Sequence, residues 1–472
     1  MSESVAMRKQ FPTGSAYVEE LKAYVKLKDP DHIEFHQAVD EVLSSLAPVF
    51  EEDPGYVEIF KILVEPERII MFRVPWQDDR GEIQVNRGFR VQFNSALGPY
   101  KGGLRFHPGV NLSVTKFLAF EQIFKNSLTT LSMGGAKGGS DFDPKNKSEA
   151  EVMRFCQSYM NELFRHIGPT IDVPAGDMGV DIREIGWLFG QYKRLTGSFA
   201  AATITQKDVL IQGSHIRPEA TGYGEVYFAE EALKCSASAT GSPGRQDRKR
   251  LRGLRCIISG KGNVSQYTVE KLLHSGAIPI AMSDTTGYIV EPDGITEAQL
   301  KAIMELKERE GYLDEYCKFP CASSKAIYVP GKKVWEIPCD LAFPSATENE
   351  IDGDDAHTLI KGGCFGVFEG ANMPSNEDAI RTFQQHGIIF GPSKAASAGG
   401  VSVSGLEMAQ NFSFLRWRPS KVDSELRAIM KNIYHQISEA AEYYDVPGDL
   451  KSGGNIASFL NIAEAMRAQG AI

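Results

Sequence analysis

The stretch between residues 254 and 284 restricts the possible folds of this chain more than any other. An apolar run, Leu254-Arg-Cys-Ile-Ile-Ser259, ends in Gly260-Lys261-Gly262-Asn263-Val264-Ser265. A helical segment at 266–274 follows, and a second apolar run at 278–282 ends at Ser283-Asp284. Strand, glycine turn, helix and strand, with an acid closing the second strand, form the Rossmann dinucleotide-binding arrangement. Ser265 takes the third glycine position and is small enough for close approach of helix and strand. Further strand-like runs lead into polar stretches at 339–349, 367–374 and 389–404. They extend an α/β pattern in which ligands lie beyond the carboxyl ends of the strands.

Upstream, two lysines sit among glycines. Lys101 lies in Gly98-Pro-Tyr-Lys101-Gly-Gly-Leu-Arg-Phe-His107, and Lys137 in Met133-Gly-Gly-Ala-Lys137-Gly-Gly-Ser140. Glycine admits positive φ and close approach of another group, so both read as tight loops holding a partly desolvated lysine. Such a lysine beside other cations has a lowered pKa and exchanges protons near neutral pH. The alternative is an ordinary glycine turn with a solvated lysine. Between them a helix is expected at 113–128, with Gln122 and Lys125 on one face and Leu118 above them. A surface ion pair of Lys125 with Glu121 is the competing explanation there. Three lysines, two of them among glycines, in a chain of net charge −10 suit a small dianion, for example a dicarboxylate. Two can neutralise carboxylates while their field lowers the pKa of the third. Asp177, in Ile171-Asp-Val-Pro-Ala-Gly-Asp177-Met-Gly179, reads equally as a helix cap or turn former and as a proton shuttle beside Lys137.

The remaining segments concern packing and location. Phe35, Val39, Val42, Leu43 and Leu46 share a helical face after the helix start at Asp29-Pro30-Asp31. Strands are expected at 69–74 and 89–93, and helices from Arg217-Pro-Glu-Ala-Thr221 to about residue 234, at 422–443 and at 456–466, the last packing back on the first domain. The negative net charge argues against nucleic-acid and anionic-membrane partners, and no apolar run is long enough to span a bilayer. The basic run from Arg245 to Arg255 reads as part of an exposed loop. The N-terminus lacks the apolar core of a secretory signal, and seven scattered cysteines read as reduced thiols, so a cytoplasmic protein is expected. Cys317 and Cys321 have no partners at metal spacing, and no metal is expected.

Five motifs, in order along nearly the whole chain, resemble the hexameric small-subunit glutamate dehydrogenases of the Glu/Leu/Phe/Val dehydrogenase family. They are Pro99-Tyr-Lys-Gly-Gly-Leu-Arg-Phe106, Met133-Gly-Gly-Ala-Lys-Gly-Gly139, Val173-Pro-Ala-Gly-Asp-Met-Gly179, Arg217-Pro-Glu-Ala-Thr-Gly-Tyr-Gly224 and Val403-Ser-Gly-Leu-Glu-Met408. The resemblance implies an α/β protein of two domains separated by a cleft. The substrate and oligomerisation domain would be 1–212, with 448–472 packing back on it, and a Rossmann-type cofactor domain would be 213–447. It implies reversible reductive amination of 2-oxoglutarate with ammonium to L-glutamate, and a homohexamer. Lys137 corresponds to the catalytic lysine, which activates water and stabilises the carbinolamine oxyanion. Asp177 corresponds to the acid that moves protons to and from the amino nitrogen. Lys101 and Ser404 correspond to the groups binding the side-chain carboxylate, and Gln122 and Lys125 to those holding the α-carboxylate. Thr221, Asn263, Asn349 and Asn372 correspond to positions near the nicotinamide and its ribose.

Asp284 by itself suits NAD, because an acid there accepts from the ribose 2′-hydroxyl and repels a 2′-phosphate. Ser283-Asp284 with Gly287 nevertheless resembles the NADP-type members, with Lys307, Arg309 and Lys261 as cations for the phosphate, so NADP rather than NAD is expected. The chain departs from the family pattern at Ser397, where Asn is usual, at Gln212 and His215, at Gly454 and Ser458, and at Ser265. A dehydrogenase for monocarboxylic amino acids would lack a cation at the side-chain end of the pocket, where Lys101 stands. A silent nucleotide-binding subunit would have lost Lys137 or Asp177, and both are present.

Overall fold

The computed structural model describes residues 13–239 and 250–470. Part of the basic run, 245–249, lies outside the described residues. Two sheets, each with its own helices, face one another across a cleft.

The first sheet comprises β1 (Arg68–Gln77), β2 (Ile83–Asn94), β3 (Tyr100–Phe106), β4 (Gly135–Ser140) and β5 (Asp172–Gly176), in the order β1-β2-β4-β3-β5. β4 runs parallel to β3 and β3 parallel to β5, while β2 is antiparallel to both its neighbours. The expected strands at 69–74 and 89–93 thus lie within longer ones, near the start of β1 and the end of β2. Alternation along β2 sends Val91 and Phe93 to the N-terminal helices. The fully buried Arg90 instead bonds both carboxylate oxygens of Asp172 on β5 and the carbonyl of Gly102 on β3.

The glycine stretches around Lys101 and Lys137 are interior strands, not the loops their composition suggests. Their glycines are needed chiefly for close packing. A Cβ on Gly135 would come within 2.5 Å of Ile123 Cγ1 on the helix Leu112–Leu128, and one on Gly138 within 2.7 Å of the Phe89 carbonyl oxygen. One on Gly102 would overlap the Ala136 carbonyl. Missing side chains therefore let that helix lie directly on the sheet. Its Phe120 meets Phe35 and Phe93 beneath. Helices Glu149–Leu163 and Ile182–Thr196 contribute a second core, built on Phe106, Phe142, Phe155 and Tyr159.

The second sheet contains β6 (Arg255–Ile258), β7 (Ile278–Asp284), β8 (Gly287–Val290), β9 (Ile327–Pro330), β10 (Leu341–Phe343), β11 (Gly366–Phe368) and β12 (Ile389–Gly391). Their order is β12-β11-β10-β6-β7-β8-β9, parallel from β12 to β7 and antiparallel beyond. Both faces are covered, as a parallel sheet requires. Cys256 and Ile258 face one core and Ile257 the other. The strand order reverses between β10 and β7, so the crevice for a ligand opens at the end of β6.

The last helix, Leu450–Ala468, is longer than the periodicity at 456–466 suggests. Asp449 caps it, accepting from the amides of Lys451 and Ser452. The pair Gly453-Gly454 lies inside it, because a Cβ on Gly453 would overlap the Ile437 carbonyl of the helix Pro419–Tyr443. Phe459, Ile462 and Met466 join the core of the N-terminal helices, with Phe459 against Phe50 and Phe60. Among the described residues no helix is long and apolar enough to cross a membrane. All seven cysteines are free thiols.

Candidate active site

The cleft has a volume of about 670 Å³ and is lined on one side by strands of the first sheet and on the other by loops and helices that flank the second. Lys137 reaches it from the middle of β4. Its Nζ lies 2.9 Å from Asp177 Oδ2, and the Arg105 Nε of β3 donates to the same oxygen at 3.0 Å. Asp177 follows β5 in a turn closed by the Val180 amide on the Asp177 carbonyl. It caps no helix: Asp181 and Glu184 form the capping box of Ile182–Thr196, which leaves the Asp177 carboxylate to the cleft.

Burial would raise the Asp177 carboxyl, but Lys137 and Arg105 overcome it and hold the group down at about 2. Burial is also the chief cause that lowers Lys137, opposed by Asp177 and assisted by Arg105. The cation that adds most to the depression is therefore Arg105, which the sequence pattern did not single out, although it lies within the Lys101 motif.

Lys101 is 1% exposed. Its ammonium donates to the Val173 carbonyl at 3.0 Å and to Thr205 Oγ1 at 2.8 Å. Thr205 Oγ1 lies 2.5 Å from Ser404 Oγ on the helix Gly399–Ser413. Burial lowers Lys101 well below the usual range, with Arg217 and Arg90 adding to it. Arg217 also lines the cleft. It donates through Nη2 to Gln206 at 2.9 Å, while its buried Nε has no hydrogen-bond partner. Thr205 and Arg217 escaped the sequence reading. Arg217 heads a motif that was noted, but Thr205 follows a short 3-10 turn with no periodic signal.

On the helix Leu112–Leu128, Gln122 and Lys125 both face the cleft. Gln122 donates to Asn126 Oδ1 at 2.7 Å, and Asn126 in turn donates to the carbonyls of Lys101 and Gly134, fastening helix to strands. Lys125 is not in a surface ion pair with Glu121. Its Nζ donates to Ser397 Oγ at 2.7 Å, across from the other half of the molecule. Burial first, then the nearby Lys137, brings Lys125 down to about 8. Glu121 lines the same wall with a buried, unpartnered Oε1, and burial pushes it up to about 7.

The cofactor-side residues divide. Thr221, Val264 and Asn372 line the cleft. Asn263 begins the helix Asn263–His274 and donates to the Pro218 carbonyl at 2.6 Å. Gly260 takes φ +83°, and its amide donates to Ser283 Oγ. Gly262 is the N-cap, offers no side chain, and has open space where a Cβ would project. The amides of the first helical turn are thus left for an anion, and the turn fits a dinucleotide pyrophosphate. Asp284 is turned inward. One oxygen accepts from the amide and hydroxyl of Thr286, and the other from the Leu313 amide, 3.0 Å from Lys261 Nζ. Lys307 is exposed near the end of the helix Glu297–Glu308, and Arg309 pairs with Glu315 at 2.7 Å. Asn349 is the exception to its expected placement. It has φ +54° and lines an adjoining cavity of about 380 Å³ near Phe390 and Asn455, which shares Ser393 and Lys394 with the cleft. Its amide is bonded to the Met373 carbonyl, which fixes the backbone of this turn.

Comparison with known proteins bears on this site. The model of the Glutamate/Leucine/Phenylalanine/Valine dehydrogenase family matches residues 213–470, and that of the Glu/Leu/Phe/Val dehydrogenase dimerisation domain matches 66–194. The chain is 55% identical to the NADP-specific glutamate dehydrogenase of Chlorella sorokiniana over 96% of its own length and 84% of the relative's. It is 50% identical to that of Escherichia coli K12, over 95% and 97%. The crystal structure of Plasmodium falciparum glutamate dehydrogenase superposes with a TM-score of 0.92 at 52% identity, covering 97% of this chain and 95% of that one.

Proposed function

The chain belongs to the Glu/Leu/Phe/Val dehydrogenase family, and on that premise we propose that its cleft carries out the reversible reductive amination of 2-oxoglutarate with ammonia to L-glutamate, with NADP as cofactor. The observation that carries the reading is the cleft's pair of carboxylate-sized anchors. Lys101, with Thr205 and Ser404, would take the distal carboxylate, while Lys125 and Gln122 take the α-carboxylate. Lys137 and Asp177 stand together on the same cleft. Ammonia and a dicarboxylic 2-oxo acid suit a site with cations for both carboxylates and one anion to receive a proton.

With a carboxyl held down at about 2, Asp177 is a carboxylate at neutral pH and acts as acceptor for a proton from the amino nitrogen. Lys137, lowered by burial, exchanges its proton with the carbonyl oxygen or with a bound water, and its ammonium form stabilises the carbinolamine oxyanion. Their direct contact lets one reset the other. When bound, NADP supplies or accepts the hydride. Gly260, Gly262 and the first turn of Asn263–His274 would hold its pyrophosphate, with Val264, Thr221 and Asn372 towards the nicotinamide. Lys261 and Lys307 would meet the 2′-phosphate, since Asp284 is already occupied by internal donors and does not stand as a bare repelling charge.

The same reading places the substrate half at 1–212, with 448–472 packed on it, and the cofactor half at 213–447. It also makes the protein a cytoplasmic homohexamer serving ammonia assimilation. An oligomer is supported by Ile69, Met71, Ile83 and Val85, exposed on the edge hairpin β1–β2, within the segment matched by the dimerisation-domain model. A Thermus thermophilus relative, 26% identical, is a hetero-hexameric glutamate dehydrogenase. The test is a spectrophotometric assay with 2-oxoglutarate, ammonium and either NADPH or NADH. Oxidation of NADPH that needs both other substrates supports the reading, and its absence with an intact protein rejects it.

A further inference from the structure

We propose that Ser397 is a positioning residue for the substrate α-carboxylate, acting through Lys125 from the opposite half of the molecule. This rests on the reading of Lys125 as the partner of that carboxylate. Ser397 is 2% exposed, and its own hydroxyl proton is committed to the Ser393 carbonyl at 2.7 Å. Its oxygen is therefore an acceptor towards Lys125, at 2.7 Å. The turn is held in place in its own right: the Ser397 amide also bonds the Ser393 carbonyl, and the Ser393 amide donates to the buried Glu369 carboxylate at 2.8 Å. Among the described residues this is the one hydrogen bond that Lys125 makes, so two of its three protons stay available for a carboxylate.

Ser404 follows on the helix Gly399–Ser413 and reaches Lys101 through Thr205. One short segment of the cofactor half thus holds both carboxylate-binding lysines, through Ser397 at one end and Ser404 at the other. Ser397 fixes where the proximal cation stands relative to the distal one. A lysine on a flexible four-carbon stem, without that acceptor, would have to be ordered by the substrate itself, and the cost would appear in binding.

The experiment is steady-state kinetics on full-length Ser397→Ala, Ser397→Thr, Lys125→Ala and the double variant Lys125→Ala/Ser397→Ala. In Ser397→Ala, KM for 2-oxoglutarate should rise about tenfold, as expected for losing one hydrogen bond to a charged group, while kcat and the KM for NADPH change less than about twofold. Ser397→Thr keeps a hydroxyl and should return KM to within about threefold of the parent. The double variant should be no worse than Lys125→Ala alone, because the serine acts through the lysine. If Lys125→Ala raises KM but Ser397→Ala does not, or if the two effects add, the positioning role is overturned while the reading of Lys125 stands. If Lys125→Ala itself leaves KM unchanged, that reading fails, and the proposal with it.

Discussion

Lys137 Nζ and Asp177 Oδ2 are 2.9 Å apart, yet Lys137 stands on β4 and Asp177 in the turn that follows β5, far along the chain. The parallel pairing of β3 with β4 on one side and β5 on the other brings them together, with Arg105 of β3 between. The contact leaves an ammonium lowered by burial beside a carboxylate held down at about 2. Replacing Lys137 with Ala should reduce kcat by about 10²–10⁴-fold, the usual range for a proton-transfer group, while NADPH binding measured by fluorescence is unchanged. Near-normal turnover would remove Lys137 from the chemistry.

Lys101 sets specificity if it meets the distal carboxylate. Lys101→Leu should depress oxidation of glutamate while raising relative activity on methionine and norleucine, whose side chains are uncharged. A proportional loss on all three substrates would mark the lysine as purely structural.

Cofactor choice should follow the cations around Asp284. The parent enzyme is expected to show a higher kcat/KM with NADPH than with NADH, and Lys307→Ala to lose mainly the NADPH value. Equal or better use of NADH by the parent would overturn the assignment of Lys307 and Lys261.

Lys125 gives a pH signature. Its pKa is brought down to about 8, so the ammonium proposed to bind the α-carboxylate is present below that value and is lost as pH rises through it. The kcat/KM for 2-oxoglutarate should therefore fall above pH 8. In Lys125→Arg, whose guanidinium stays charged, this limb should move to higher pH. A profile unaltered by the substitution would assign the limb to another group.

Arg90 and Asp172 form an ion pair with both side chains fully buried. Arg90→Leu strands the carboxylate in the sheet, and should cost about 3–5 kcal/mol of stability. Denaturant unfolding would read this directly. A loss under about 1 kcal/mol would show that the Gln92 amide, which also donates to Asp172, suffices to hold the charge.

The primary sequence by itself determined the elements whose signal is local. The unit from Arg255 to Asp284 is one, since a strand, a glycine turn and a helix are each specified within a few residues. The motifs around Lys101, Lys137 and Asp177 also marked positions that the fold gathers on the cleft, because glycine neighbours and charge are written along the chain. Tertiary structure alone decided that those glycine stretches are interior strands. Nothing within residues 133–140 reveals that Ile123 and the Phe89 carbonyl will occupy the space a Cβ would need. It likewise decided that Arg105 and Thr205 complete the lysine sites, that Asn349 faces a different cavity, and that Lys125 bonds Ser397 instead of pairing with Glu121. Burial is the first cause of the lowered lysine pKa values, and burial belongs to the packed sheet and the walls of the cleft, to which distant segments contribute together.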